Sequence, residues 1–238
     1  MNTKEIEAAR NQSVVKHNDL IQKSRYNLSV QEQKIILYLI SKIRPEDTEF
    51  HLYEFNIKDF CEICGIDEPS GKHYLALKET ILNLKRKCFW IPIGDGQEAT
   101  VSWIDKAIIN KKIGIIKIKL DNDMKPFLLE LQKNFTSYEL DYILVMKSKY
   151  SIRLYELFKS HEFMSKCTYD IEHLKLLLSV TTYENFKDFR NRVLEPALRE
   201  INIYSDIFVT YTATKKDRKY DKITFEIKEQ REGFLILK

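Results

Sequence analysis

FNIKDFCEICGI (residues 55–66) and YDIEHLKLLLSV (residues 169–180) lie over one another without a gap. The alignment pairs Phe55 with Tyr169, Ile57 with Ile171, Phe60 with Leu174, Ile63 with Leu177, Cys64 with Leu178 and Ile66 with Val180. Upstream, KIILYLISK (34–42) lies over SIRLYELFK (151–159), and downstream of each copy the pattern reads as a basic amphipathic helix followed by two alternating strands. Each half therefore runs helix, strand, helix, helix, hairpin, and a unit that recurs in one chain implies two copies of one supersecondary fold.

That order is the winged-helix layout, in which the third helix enters a DNA groove and the hairpin forms the wing. The expected fold is α+β and mainly helical: two tandem winged helices, each around its own core, over residues 1–134 and 135–238. A length of 238 residues accommodates two ordinary domains. With 44% hydrophobic and 12% aromatic residues, and only six Gly and five Pro, the composition is globular.

No apolar run reaches the length of a membrane span or a signal-peptide core, so the reading is a cytoplasmic protein without membrane association. The four cysteines (61, 64, 88, 167) show no disulfide spacing, and there they are expected to stay reduced. Thirty-nine Lys and Arg face 35 Asp and Glu, a net charge of +4. Any nucleic-acid footprint must then come from local clusters such as 85–87, 111–112 and 215–219.

Ser29 with Glu32 three positions later makes a capping box for a helix running through Ile35, Ile36, Leu39, Ile40 and Ile43 to Arg44-Pro45. Residues 50–55 read as a strand, 57–64 as a short helix, and 73–88 as a helix with Tyr74, Leu77, Ile81, Leu84 and Cys88 on one face. Strands follow at 89–93, 99–109 and 114–120. Residues 126–131 and 138–145 read as short helical connectors. In the second half, helices are expected at 151–163, 171–178 and 184–201, a strand at 168–169, and a hairpin of 207–213 and 222–227 joined by a basic loop, 214–221.

The helix over 184–201 carries Phe186, Phe189, Val193, Ala197 and Ile201 on one side and Asn185, Asp188, Asn191, Arg192, Glu195 and Arg199 on the other. Asparagine pairs adenine, arginine pairs guanine, and a carboxylate accepts from cytosine in the major groove. Asn185, Asp188, Asn191 and Arg192 are thus the candidate base readers. The competing reading is an ordinary solvated face; the repeat and the adjacent basic loop favour DNA. Lys215, Lys216, Arg218 and Lys219 on that loop, with Lys187 and Arg190 on the helix, are candidate phosphate contacts, as are Lys72, Lys78 and Arg86 in the first half. Pro196 removes an amide inside the helix and predicts a bend.

Other chemistries fit less well. Cys61-Glu62-Ile63-Cys64 is half a zinc site with no second half, and Cys64 aligns with the core position Leu178, so no metal or other cofactor is expected. GIDEPSGKH (65–73) departs from a phosphate-binding loop in its glycine spacing and in having His73 where a hydroxyl is needed. The five histidines offer no closely spaced metal-holding pair of the kind a strand-nicking nuclease requires. That nuclease is the weakest of three readings, and no enzymatic activity is expected.

Three segments, NDLIQKSRYNLSVQEQKIILYLISKI (18–43), KSKYSIRLYELFKS (147–160) and FKDFRNRVLEPALREIN (186–202), carry a specific likeness. The chain resembles the twin-winged-helix replication initiators of iteron-bearing, theta-replicating plasmids, over residues 15–227. The resemblance implies a protein that binds direct repeats at an origin, opens an adjacent AT-rich region and recruits the host helicase and replication proteins. It further implies that monomers initiate while homodimers, joined through the first domain, repress the initiator gene. By the same likeness the base-reading stretch falls on Asp188, Arg190, Asn191 and Arg192, with Asn191 interrupting the cations of more basic family versions. Arg190 projects nearer the apolar side and is read as a phosphate or packing residue. A winged-helix transcriptional repressor without initiation activity is the alternative, since it needs the same helices.

Overall fold

The computed structural model describes residue 8 and residues 10–64 and 73–230. The repeat is visible as matching sheets. In the first half β2 (Tyr53–Asn56), β5 (Ile104–Asn110) and β6 (Ile115–Leu120) form an antiparallel sheet in the order β2-β6-β5. In the second, β8 (Lys166–Asp170), β9 (Ile207–Lys216) and β10 (Lys219–Glu229) form one in the order β8-β10-β9. Equivalent strand pairs are tied by side chains: Lys117 and Glu54 form an ion pair at 2.5 Å, and Thr168 and Thr224 share a hydrogen bond at 2.9 Å.

The first strand of each sheet feeds a seven-residue helix, α3 (Ile57–Ile63) and α8 (Ile171–Leu177), with the bounds the alignment requires. Phe60 and Leu174, Ile63 and Leu177, Cys64 and Leu178 are all buried. Cys64 is therefore a core residue, and burial pushes its thiol well above its ordinary pKa. The opening helices, α2 (Val30–Ile40) and α7 (Lys149–Lys159), both span eleven residues, with Ser29 and Ser148 as N-caps and Ser41 and Ser160 as C-caps. Their ends correspond two residues away from the sequence alignment of these helices. Ser29 and Glu32 form the expected capping box.

Three features depart from the sequence reading. The span 99–109 is two strands, because β3 (Cys88–Gly94) and β4 (Gln97–Ser102) make a separate hairpin and the chain changes sheet at Trp103. Trp103 is fully buried, 4.9 Å from Tyr26 and 5.0 Å from Phe89 between ring centres, so it turns inward and ends the strand. Second, residues 13–17 form β1 (Ser13–His17), which pairs with β7 (Phe135–Glu139), where the sequence pattern predicts the start of a helical connector. Between β6 and β7 the only α-helix is α5 (Lys125–Leu128), with Pro126 in its first turn, and α6 (Leu140–Leu144) follows β7. Among the described residues helix covers 42% and strand 31%, so the fold is α+β without being mainly helical.

Third, the apolar core is continuous through both halves instead of forming two separate cores. The element that joins them is α7, whose residues Ser151 to Phe158 are all buried. A helix covered all round is enclosed by its neighbours. Here α7 packs on α1 (Asn18–Gln22) and α2 from the first half, on β7, which pairs with β1 of that half, and on α10 (Glu195–Tyr204) from the second.

Candidate nucleic-acid interface

In the second half α9 (Phe186–Phe189), a π-helical turn (Arg190–Leu194) and α10 form one continuous helix, longer than any other described. Phe189, Val193, Leu194, Ala197, Leu198 and Ile201 bury its inner side, and Phe186 is half-buried. Pro196 explains the π turn. Its ring would clash with the carbonyl of Arg192 in a regular helix, and the widened turn ahead of it gives the Glu195 amide the carbonyl of Arg190, five residues back, as acceptor. The expected bend is thus taken up as a local bulge under the candidate reading face.

The outer face is more structured than its composition suggests. Asn185 is the N-cap: its Oδ1 accepts from the Asp188 amide at 2.9 Å, and its Nδ2 donates to the Asp188 carboxylate at 2.7 Å. Both side chains are occupied in starting the helix. Arg190 donates from Nε to the Asn191 side-chain oxygen at 3.2 Å and lies beside Tyr211 on β9. Arg192 is exposed, makes no hydrogen bond or ion pair among the described residues, and sits 6.0 Å from the centre of the Tyr183 ring. Of the four candidate readers, Arg192 presents the freest polar group; Lys187, on the same helix, is exposed.

The wing is longer and tighter than the expected basic loop. β9 and β10 extend to Lys216 and Lys219, leaving only Asp217 and Arg218 in the turn, with φ of 49° and 70°. Two left-handed residues in a two-residue hairpin loop match the right-handed twist of the strands, but this conformation favours Gly or Asn. An arginine there is held at a conformational cost. Lys215, Lys216, Arg218 and Lys219 are all exposed.

Helix and wing are joined by ring contacts that the sequence pattern does not announce. Phe186, in the first turn of the helix, stacks on Tyr220 of the wing, with centroids 4.3 Å apart and planes at 31°. The Lys215 ammonium lies 4.8 Å from the centre of that same Tyr220 ring. Further along, the Tyr211 hydroxyl donates to Glu195 at 2.7 Å. The wing cations and the start of the candidate reading helix thus form one surface. By helical period Phe186 belongs to the core face, and only its place at the very start of the helix hints at this contact.

The first half repeats the arrangement in weaker form. In α4 (His73–Arg86), Leu77, Ile81 and Leu84 are buried as expected, while Cys88 is exposed and begins β3. Lys111, in the turn between β5 and β6, stands 5.3 Å from the centre of the Tyr74 ring at the start of α4, joining wing and helix again. Lys78 and Arg86 are exposed. Lys85 donates to the Asp105 carbonyl and Lys87 pairs with the buried Glu32 at 2.6 Å, which leaves Arg86 as the free cation of that cluster among the described residues. Lys72 lies outside the described residues, as does the loop 65–72.

Two family profiles account for this arrangement. That of the initiator replication protein, WH1, matches residues 13–159, and that of the initiator Rep protein, WH2, matches residues 170–227. The chain belongs to the winged-helix replication initiator family. The WH1 match includes α7, the helix shared by both halves. Among similar proteins, a replication initiation protein of Escherichia coli is 24% identical over 224 residues, covering 90% of this chain and 69% of the relative. An uncharacterized 27.6 kDa protein of Escherichia coli is 20% identical over 215 residues, covering 83% and 88%. No group of three or more potential metal ligands occurs among the described residues, and none of their helices is long and apolar enough to cross a membrane.

Proposed function

We propose that this replication initiator binds direct repeats at a plasmid origin as a monomer, with one winged helix on each of two successive major grooves. It then opens the adjacent AT-rich DNA and recruits the host helicase and replication proteins. As a homodimer joined through the first half it represses its own gene. It acts in the cytoplasm by binding alone, without nicking DNA and without a metal or other cofactor. The observation that carries this reading is the Phe186–Tyr220 contact, which unites an exposed Arg192-bearing helix with a cationic wing. Base-edge donors and phosphate-contacting cations on one surface are what sequence-specific duplex binding needs.

The test is replication in trans. A plasmid carrying the DNA upstream of the gene, but not the gene, should be maintained only in cells that supply the protein. Repression of a reporter without plasmid maintenance would make it a transcriptional repressor, and nicking of supercoiled origin DNA by the purified protein would make it a nuclease.

A further inference from the structure

Within the apolar core lies a cluster of charges and phenols whose members come from four parts of the chain. Glu156 on α7 accepts from Lys16 of β1 at 2.6 Å and from Tyr138 of β7 at 2.5 Å. Arg153, one turn earlier on α7, donates to the Tyr26 hydroxyl at 2.7 Å and to the carbonyls of Ile21 and Ser24 at 3.1 and 3.3 Å. All five side chains are buried, Lys16 and Glu156 at 1% exposure.

The same helix α7 is tied to α10 and to the residue just beyond it. Glu200 of α10 accepts from the Lys147 and Ser148 amides at the start of α7, at 3.2 and 3.1 Å. Asp206, just beyond α10, accepts from Tyr155 and Lys159 of α7, each at 2.9 Å. A continuous set of directional bonds therefore runs from β1 through α7 to the helix that carries Arg192.

Such a cluster adds little stability beyond what an apolar cluster of the same volume would give. A buried ion pair roughly breaks even against apolar side chains of similar volume, whereas Ile152, Leu154, Leu157 and Phe158 on the same helix already supply the burial that holds α7 in place. Apolar packing has no directional preference, while hydrogen bonds fix angles. We infer that Lys16, Tyr26, Tyr138, Arg153 and Glu156, all within the WH1 match, fix α7 on the first winged helix, that the Glu200 and Asp206 bonds to α7 carry this orientation to the second, and that the cluster thereby locks the phase between the two winged helices and sets the spacing of the two half-sites the protein accepts. The spacing part rests on the DNA-binding reading above; the lock itself does not.

The test uses Lys16→Met with Glu156→Gln, which removes one buried charge of each sign and leaves the net buried charge unchanged. Spin labels at Glu98 and Lys228, both exposed, report the distance between the halves in full-length protein with the exposed Cys88 replaced by Ser. The parent should give one narrow distance distribution and the double variant a broad or split one; an equally narrow distribution would overturn the lock. Should the double variant fail to melt cooperatively, Tyr138→Phe removes a single bond to Glu156 and keeps the ring. Broadening is again expected, and no change again overturns the proposal.

For spacing, the probe is a duplex selected from a random pool by the parent protein, with 5 base pairs, about half a turn, inserted between its two protected patches. The parent should lose about tenfold or more in affinity and the double variant less than about threefold. Equal losses would show that the cluster does not set spacing. Failure to select any duplex would refute the DNA reading while the spin-label distances still decide the lock.

Discussion

The ring of Phe186 at the start of the long second-half helix lies 4.3 Å from that of Tyr220 on the wing, so the two candidate DNA-contacting elements are in direct contact. An aromatic pair of this kind contributes about 0.5–1.5 kcal/mol beyond the area it buries. That is enough to orient a hairpin tip whose cations face solvent.

Substitutions at Arg192 and Asn185 test base reading and helix building separately. Arg192→Ala should lose about 1–3 kcal/mol on selected duplex while sparing non-specific DNA and leaving the melting temperature unchanged. Asn185→Ala removes the N-cap and should lower stability by about 0.5–2 kcal/mol. Thermal melts beside binding isotherms on specific and mixed-sequence DNA check both; equal loss on both DNAs would make Arg192 a phosphate contact.

The wing cations should act through salt. With Lys215→Ala and Lys216→Ala together, the slope of log affinity against log salt should flatten by roughly one for each phosphate that the variant no longer neutralises. Titrations at several salt concentrations measure it, and an unchanged slope would remove the wing from the interface.

Arg218 holds a left-handed backbone with φ of 70°, a conformation that is strained for a side chain of this size. Arg218→Gly should raise the melting temperature and weaken DNA binding at the same time. Stabilisation with undiminished affinity would show that the arginine has no part in binding.

Acid should loosen the join between the halves. Burial pushes the Glu156 carboxyl up, but Lys16 and Arg153 beside it and the bonds from Lys16 and Tyr138 more than offset this and hold it below the usual range. A carboxyl lowered on folding stabilises the protein above its unfolded value of about 4.3, and that contribution disappears as pH falls through the folded value. Melting temperature should therefore drop as pH is lowered below about 4.3, and Glu156→Gln should make the drop shallower.

Much of this architecture is legible in the residues because it is local. The Ser29–Glu32 capping box, the equal spans of α3 and α8, and the buried Leu77, Ile81 and Leu84 all follow from spacing within a few turns. What escapes is decided at long range. β1 forms only against β7, which lies in a distant part of the sequence, and Lys16 inside it reads as a surface residue until Glu156 is placed beside it. Trp103 ends a strand because of Tyr26 and Phe89, with which it shares no local pattern.

The interface divides the same way. The polar side of residues 184–201 is recognisable by helical period, but Asn185 and Asp188, which suit groove contacts by residue type, have a spacing of three that also spells a helix cap. The π turn is not readable from period alone, since Pro196 announces a disturbance without saying how the backbone absorbs it. The Phe186–Tyr220 contact depends on where the wing folds back, which no local pattern records.

The most direct measurement is a hydroxyl-radical footprint of the purified monomer on the DNA upstream of its own gene. Two protected patches per repeat, on one face of the duplex and about 10 to 10.5 base pairs apart, are the predicted result. A single patch per repeat, or protection that ignores the repeats, would contradict the account.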